Sequence, residues 1–289
     1  MNKAKGSMLS AMVIFGTVGI FVRYIGLPSA TIAFFRGALG VIFLLAVMGV
    51  TGKKLCLQSI SKNLPLLILS GAAIGGNWIL LFEAYQHTSV AVATVCYYLA
   101  PMFLVLVSPL LGERLTGKKL ALSAVALVGM VFVSGVLDSG MSGLRGVGLG
   151  VGAAALYASV MFMNKKLGQL PAYDKTVVQL AAAAAVIFPY CLLTGGFAME
   201  QVTPQGYVLL AVVGIVHTGF AYWLYFGALG QLPSQKVAIF SYLDPVVAIL
   251  LSALWLKEPL GWQEFTGAAL ILGSALCSEL PGKKVAEKG

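Results

Sequence analysis

Apolar residues in this chain come in long runs, and the polar residues gather in the short stretches between them. At about 20 residues for each bilayer crossing, the runs predict helices near 8–25, 30–50, 63–83, 90–111, 119–136, 146–164, 175–194, 206–229, 234–255 and 262–280. The loops left over are short, so there is no room for a nucleotide-hydrolysing or nucleic-acid-binding domain. Composition points the same way: of 289 residues, 59% are hydrophobic and only 10% charged, with a mean hydropathy of +0.93. Too few polar side chains remain to cover a water-facing surface. The expected fold class is therefore an all-α integral membrane protein whose partners include the lipid bilayer but no nucleic acid.

The net charge of +9 would suggest an acidic partner in a soluble protein; here its placement is topological. With the N-terminus in the cytoplasm, 15 of the 19 basic residues fall on inner segments. Arg23, Arg145 and Lys257 fall outside, and Arg36 lies within a span. The excess of inside cations predicts a multi-pass protein of the cell (inner) membrane with both termini cytoplasmic. The basic start followed by an apolar stretch is long enough to span, so it reads as the first helix rather than a signal peptide. Cys56, Cys96, Cys191 and Cys277 show no metal-ligand spacing and read as packing residues. Neither a metal nor a cofactor is expected.

The second half repeats the first at an offset of 144 residues. Gly75 to Leu110 and Gly219 to Leu254 share ten identities in 36 positions, among them Tyr98/Tyr242, Leu99/Leu243, Pro101/Pro245 and Ser108/Ser252. Chance would supply about three or four in so apolar a sequence. The loop after the fourth predicted span carries Arg114, Lys118 and Lys119, whereas its partner after the ninth carries only Lys257. Matching sequence with opposite sidedness is what an inverted repeat of five spans predicts, and that arrangement is typical of secondary transporters. The halves divide as 1–139 and 140–289, in the Asp138 to Gly143 stretch. Weaker matches extend outward, pairing Arg23 with Lys165 and Gly129 with Gly273. Gly71/Gly75 and Gly148/Gly152 have helix-packing spacing. Gly148 to Ala153 nearly fits a dinucleotide fingerprint, but no strand precedes it and it lies in an apolar run.

Candidate chemistry comes from residues that interrupt the pattern. Proline has no N–H, so Pro101 frees the carbonyl of Tyr97 and Pro245 that of Ser241, both near mid-span. Irregular backbone at that depth is tolerated where protein or water satisfies it, often beside a substrate cavity; the plainer reading is a packing kink. Four polar groups occur in one copy only: Asp244 matches Ala100, His217 matches Ala73, Glu83 matches Gly227 and Arg36 matches Ala181. Asp244 and His217 lie at similar depth, and an intramembrane carboxylate is a functional candidate by default. The two are proton-coupling candidates, with a structural hydrogen bond as the bland alternative for each. Arg36 can bind a substrate anion, pair with Asp244, or snorkel outward. Glu83 marks an outer helix end, and Lys236 reads as an orientation charge. Aromatic residues cluster on spans three, four, eight and nine, and Trp78, Phe82 and Tyr85 share one helical face. The substrate-binding candidates are Arg36, Trp78, Tyr97, Tyr98, Tyr222, Ser241, Tyr242 and Asp244.

Two motifs, Tyr98-Leu99-Ala100-Pro101 leading to Leu111-Gly112-Glu113-Arg114-Leu115 and Tyr242-Leu243-Asp244-Pro245 leading to Leu256-Lys257-Glu258-Pro259-Leu260, carry a resemblance over most of the chain. The sequence resembles the drug/metabolite transporter superfamily, specifically its ten-span EamA-type members. The resemblance implies two five-helix bundles around a central cavity, moving substrate by alternating access without ATP, more often outward. Pro101, Pro245, Glu113 and Glu258 are then hinge or structural positions. Glu258 departs by one position and follows Lys257. The reading is a secondary transporter, not an enzyme, for a small organic metabolite or drug, exporting it with proton coupling through Asp244. The alternatives are a proton-independent facilitator or exchanger, a lipid flippase or noncatalytic subunit, and an intramembrane enzyme. Substrate identity, direction, coupling and oligomeric state stay open at this stage.

Overall fold

A computed structural model describes residues 2–112, 116–133, 144–167, 170–194, 197, 199–229, 231–232, 237 and 240–279. The expected boundary at 139/140, Glu113 and Lys236 lie outside the described residues. Among the described residues there is no strand. The helices, in chain order, are α1 (Asn2–Ile25), α2 (Ser29–Thr51), α3 (Leu57–His87), α4 (Val90–Tyr97), α5 (Ala100–Val107), α6 (Gly117–Val133), α7 (Leu144–Lys166), α8 (Ala172–Thr194), α9 (Pro204–Gly214), α10 (Ala221–Leu229), α11 (Leu243–Leu254) and α12 (Trp262–Glu279). A π-helical turn, Ile215–Phe220, joins α9 to α10 into one rod.

Seven described helical segments are long and apolar enough to cross a membrane, α4 with α5 and α9 with α10 each counting as one. Of the other predicted spans, α11 is a shorter apolar helix, α6 has 17 residues, and α12, with 18, is not apolar enough to count among the seven. The apolar surface agrees with a lipid setting: Leu193, Val50, Leu110 and Leu254 are all exposed.

The predicted interruptions appear at the two repeated motifs. α4 stops at Tyr97, a turn follows at Tyr98 and Leu99, and α5 begins at Ala100 with Pro101 second. Pro245 likewise sits in the first turn of α11, after a turn at Tyr242. At those positions the missing N–H costs nothing, because first-turn N–H groups have no intrahelical partner. The prolines thus restart helices rather than bend continuous ones.

Helices meet where side chains are small. α3 packs along α7 and α8, α2 along α8 and α9, α1 along α10 and α11, and α6 along α12. A Cβ at Gly71 would lie 2.6 Å from the Gln179 carbonyl oxygen, so only hydrogen lets α3 and α8 approach this closely. On α7 Gly146 packs against Thr88, Gly150 against Cys96 and Ala93, and Gly152 against Leu80, where a Cβ would come within 3.3 Å, whereas Gly148 faces open space. Of the expected Gly148/Gly152 pair, Gly152 therefore serves helix packing and Gly148 does not.

Candidate functional site

Both breaks open onto one cavity of about 550 Å³ between the helices. All eight residues named from the sequence as substrate-binding candidates line it: Arg36 from α2, Trp78 from α3, Tyr97 and Tyr98 at the first break, Tyr222 from α10, and Ser241, Tyr242 and Asp244 at the second. Tyr98 and Tyr242, partners in the repeat, face each other with ring centroids 6.2 Å apart. The Tyr98 hydroxyl lies 2.8 Å from Asp244 Oδ2 and 3.3 Å from the Ser241 carbonyl oxygen, and is shared between them as donor. Ser241 is the carbonyl that Pro245 leaves without its helical partner, so one phenol serves the break and the carboxylate together. Asp244 also sits in the first turn of α11, where the helix dipole favours a negative charge.

Arg36 is buried. Its Nε donates to Thr218 Oγ1 at 2.9 Å, and its guanidinium carbon lies 4.3 Å from the centre of the Trp78 ring. Among the described residues it forms no ion pair with Asp244 or any other acid. The sequence expectation of an Arg36 to Asp244 pair is therefore not met, and neither is snorkelling to the surface. His217 is placed elsewhere: its Nε2 is 2.7 Å from Thr17 Oγ1 and its ring packs on Phe21, between α1 and the π turn. It does not line the cavity, so the structure does not bring it together with Asp244 there.

The cavity reaches one end of the bundle, where Ala172 and Lys175 are half-exposed. Toward the other end stands a polar knot. Arg23 donates to the carbonyls of Tyr85 and Thr88 and pairs with Glu258. Glu258 in turn accepts from the Val90 N–H at 2.9 Å and from the Ser252 hydroxyl, and Ala91 N–H reaches Ser252 Oγ at 3.3 Å. One carboxylate thereby ties the end of α1 and the start of α4 to the loop after α11. Lys257 adopts φ 55 to present it, and Gly112, its counterpart before Glu113, adopts φ 76. Glu83 lies beside this region with Ser29 at 2.9 Å and His87 at 3.1 Å.

The sequence model of the EamA-like transporter family matches residues 4–135 and again 144–279. The chain belongs to that family. Similar proteins include YxxF, named an uncharacterized transporter, of Bacillus subtilis, 29% identical over 86% of this chain and 80% of that one. The pseudopaline exporter CntI of Pseudomonas aeruginosa is 28% identical over 86% of this chain and 84% of its own. A probable amino-acid metabolite efflux pump of Escherichia coli is 32% identical over 56% of this chain and 57% of its own. One crystal structure superposes with a TM-score of 0.68 at 20% identity, covering 94% of this chain and 95% of the other, which supports the fold. These names indicate transporters rather than enzymes, and this EamA-like protein is a multi-pass membrane protein.

Several residues of this EamA-like transporter's cavity escaped the sequence reading. Tyr157 on α7 stacks on Tyr97 at 5.1 Å, and Tyr225, Asn77 and Asn164 also line the wall. Gln179 donates to Ser70 at 2.7 Å and to Asn164 at 2.8 Å, joining α8, α3 and α7 at the cavity margin. Their available signal was an isolated polar side chain in an apolar span, as with Asp244. Phe82, on the same helical face as Trp78 and Tyr85, does not line the cavity with them and is fully buried in the core.

Proposed function

We propose that this protein is a secondary transporter that carries a small organic metabolite by alternating access, built as two inverted five-span halves divided near 139/140. The observation that carries this reading is the single cavity at two facing helix breaks, open toward one end and tied shut at the other by Arg23 and Glu258. Packing supports the two-fold plan. Exchanging halves turns the contact of α3 with α7 into that of α9 and α10 with α1, α3 with α8 into α9 with α2, and α4 with α7 into α11 with α1. The contacts of α2 with α8, α6 with α12 and α4 with α11 map onto themselves. A family match that repeats over 4–135 and 144–279 supports it further. With both termini cytoplasmic in the inner membrane, the knot is the outer gate and the cavity faces inward. The exporter names of two relatives favour outward transport.

Asp244, the acid lining the cavity, is the proton-exchanging group in this reading, loading a proton as substrate departs. The test compares cells and medium by untargeted mass spectrometry after expression of the native chain and of Asp244→Asn, followed by proteoliposome transport of any enriched compound. A metabolite that accumulates outside with the native chain and is concentrated by a pH gradient supports the reading. Full gradient-driven transport by Asp244→Asn defeats proton exchange at this residue and leaves the facilitator or exchanger reading.

One observation favours a second route. A cavity of about 370 Å³ beside Lys53, Tyr173 and Trp223 shares Ala172 and Phe226 with the first. Such a side passage suits amphiphilic cargo arriving from the lipid, as a flippase requires. Transport that falls with membrane-impermeant substrates and persists with lipid-partitioning ones would select it.

A further inference from the structure

We infer that the side cavity of about 370 Å³ is the seat of a resident anionic phospholipid of the inner leaflet, with its phosphate beside Lys53 and an acyl chain along Trp223 and Phe220. The cavity lies where α2 ends, α8 begins and α10 nears its end. Thr51 and Lys53 come from the first, Ala172 and Tyr173 from the second, Trp223 and Gly227 from the third. With both termini cytoplasmic, these three places share the inner headgroup level, where tyrosine and tryptophan gather.

Charge selects the kind of headgroup. Among the described residues Lys53 is the one charged group on the wall, and it is exposed and forms no ion pair. Lys54 follows it and is exposed as well. Lysines at the cytoplasmic face attract anionic headgroups. Asp174, next to Tyr173, is buried, does not line the cavity and accepts from the Cys56 N–H at 3.0 Å. A zwitterionic headgroup would therefore bring an ammonium for which the wall has no acid.

The hydroxyls and the apolar wall separate a lipid from a free phosphate. Thr51 donates to the Val47 carbonyl at 2.7 Å, and Tyr173 to the Leu44 carbonyl at 2.7 Å. Each hydroxyl has a single proton, so neither is left to donate to a phosphate. A soluble phosphate would exchange its water for lysine and apolar surface, at a loss of hydrogen bonds. A phospholipid keeps its headgroup wet beside the lysines and uses that surface for its chain. The surface continues toward the bilayer centre: Phe220, about one turn deeper than Trp223, has its ring 5.7 Å from the indole, and both are exposed. Gly227 leaves the room, since a Cβ there meets nothing within 4 Å.

Ala172 and Phe226 line both cavities, so a lipid held here walls the central cavity off from the bilayer. The inference is independent of what the central cavity carries, and it opposes the side route, which needs the same space for passage.

The experiment reads binding to the delipidated full chain by native mass spectrometry, with dioleoylphosphatidylglycerol, dioleoylphosphatidylethanolamine and sn-glycerol 3-phosphate as probes. Phosphatidylglycerol is expected to bind at least about tenfold more tightly than either of the others. Lys53→Gln should bring it down to about the phosphatidylethanolamine level. Lys62→Gln, which removes an exposed charge that does not line the cavity, should leave it unchanged. Gly227→Leu puts a side chain into the open space at an exposed helical position and should weaken phosphatidylglycerol about tenfold, with a melting temperature at or above native. Equal binding of the two phospholipids, or equal losses in Lys53→Gln and Lys62→Gln, would mean general attraction to a basic surface and overturns the seat. Native binding by Gly227→Leu overturns it too, because the lipid then lies elsewhere. Glycerol phosphate that binds as tightly as phosphatidylglycerol replaces the lipid by a free phosphate. Phosphatidylglycerol that crosses proteoliposome membranes faster with the native chain than without it is cargo, which overturns residence and selects the side route.

Discussion

A single phenol carries two duties at the centre of this protein. The Tyr98 hydroxyl meets the Ser241 carbonyl released by Pro245 and the carboxylate of Asp244, coupling helix geometry on one side of the cavity to charge on the other. Tyr98→Phe keeps the ring against Tyr242 and removes only this link. Transport in proteoliposomes is expected to fall about tenfold, equivalent to about 1.4 kcal/mol of barrier, with a melting temperature close to native because the ring keeps its packing. A variant that transports normally would show that the contact is incidental. At the same scale, His217 illustrates how depth alone misleads: it sits in the α1 interface with Thr17, away from the cavity that holds Asp244. His217→Gln, able to replace one hydrogen bond, is expected to change thermal stability more than the pH dependence of transport, read by comparing the two profiles.

Among the elements, close helix approach depends on where glycine falls. A Cβ at Gly16 would lie 2.5 Å from the Asp244 carbonyl oxygen and 2.7 Å from Val247, so α1 reaches α11 only without a side chain there. Gly16→Val is expected to destabilise the protein by about 1–3 kcal/mol through overpacking, seen as a lower melting temperature in detergent. Gly148→Ala, which meets nothing within 4 Å, serves as the control and should be neutral or stabilising. The loop after α11 offers the reverse experiment. Lys257 adopts φ 55, where an L-residue is strained by about 1–2 kcal/mol, whereas its counterpart Gly112 adopts φ 76 at no such cost. Lys257→Gly is expected to raise the melting temperature slightly while leaving Glu258 in place.

Across the whole molecule, the cavity and the Arg23 to Glu258 knot divide the bundle into an open end and a tied end. Alternating access requires that knot to part. Glu258→Gln weakens the hold on Arg23 and on the start of α4, so the outward-open state should become more populated. Thr94→Cys lines the cavity and, with the native cysteines replaced, should react faster with an impermeant maleimide added to intact cells when Glu258→Gln is present. No acceleration would mean the knot is not the gate. Native Cys56, exposed between α2 and α3, tests orientation: labelling only after permeabilisation fits cytoplasmic termini, and labelling of intact cells reverses them.

Hydropathy alone located the long helices, because a bilayer demands unbroken apolar runs whatever the fold around them. The paired Tyr-Leu-X-Pro motifs likewise marked the breaks, since proline restricts its own backbone locally. Single-copy polar residues pointed to Arg36 and Asp244 without saying what each would meet. Only the tertiary structure decided that they share one cavity without pairing, that Tyr98 answers the carbonyl freed 143 residues away, and that Gly146 and Gly150 rather than Gly148 pack α7. The reason is geometric. Hydropathy and proline act on the chain within a few residues, whereas a cavity is the space left where several helices meet. Its lining depends on each helix's rotation and depth, and a rotation of one residue, about 100°, exchanges a wall position for a buried one.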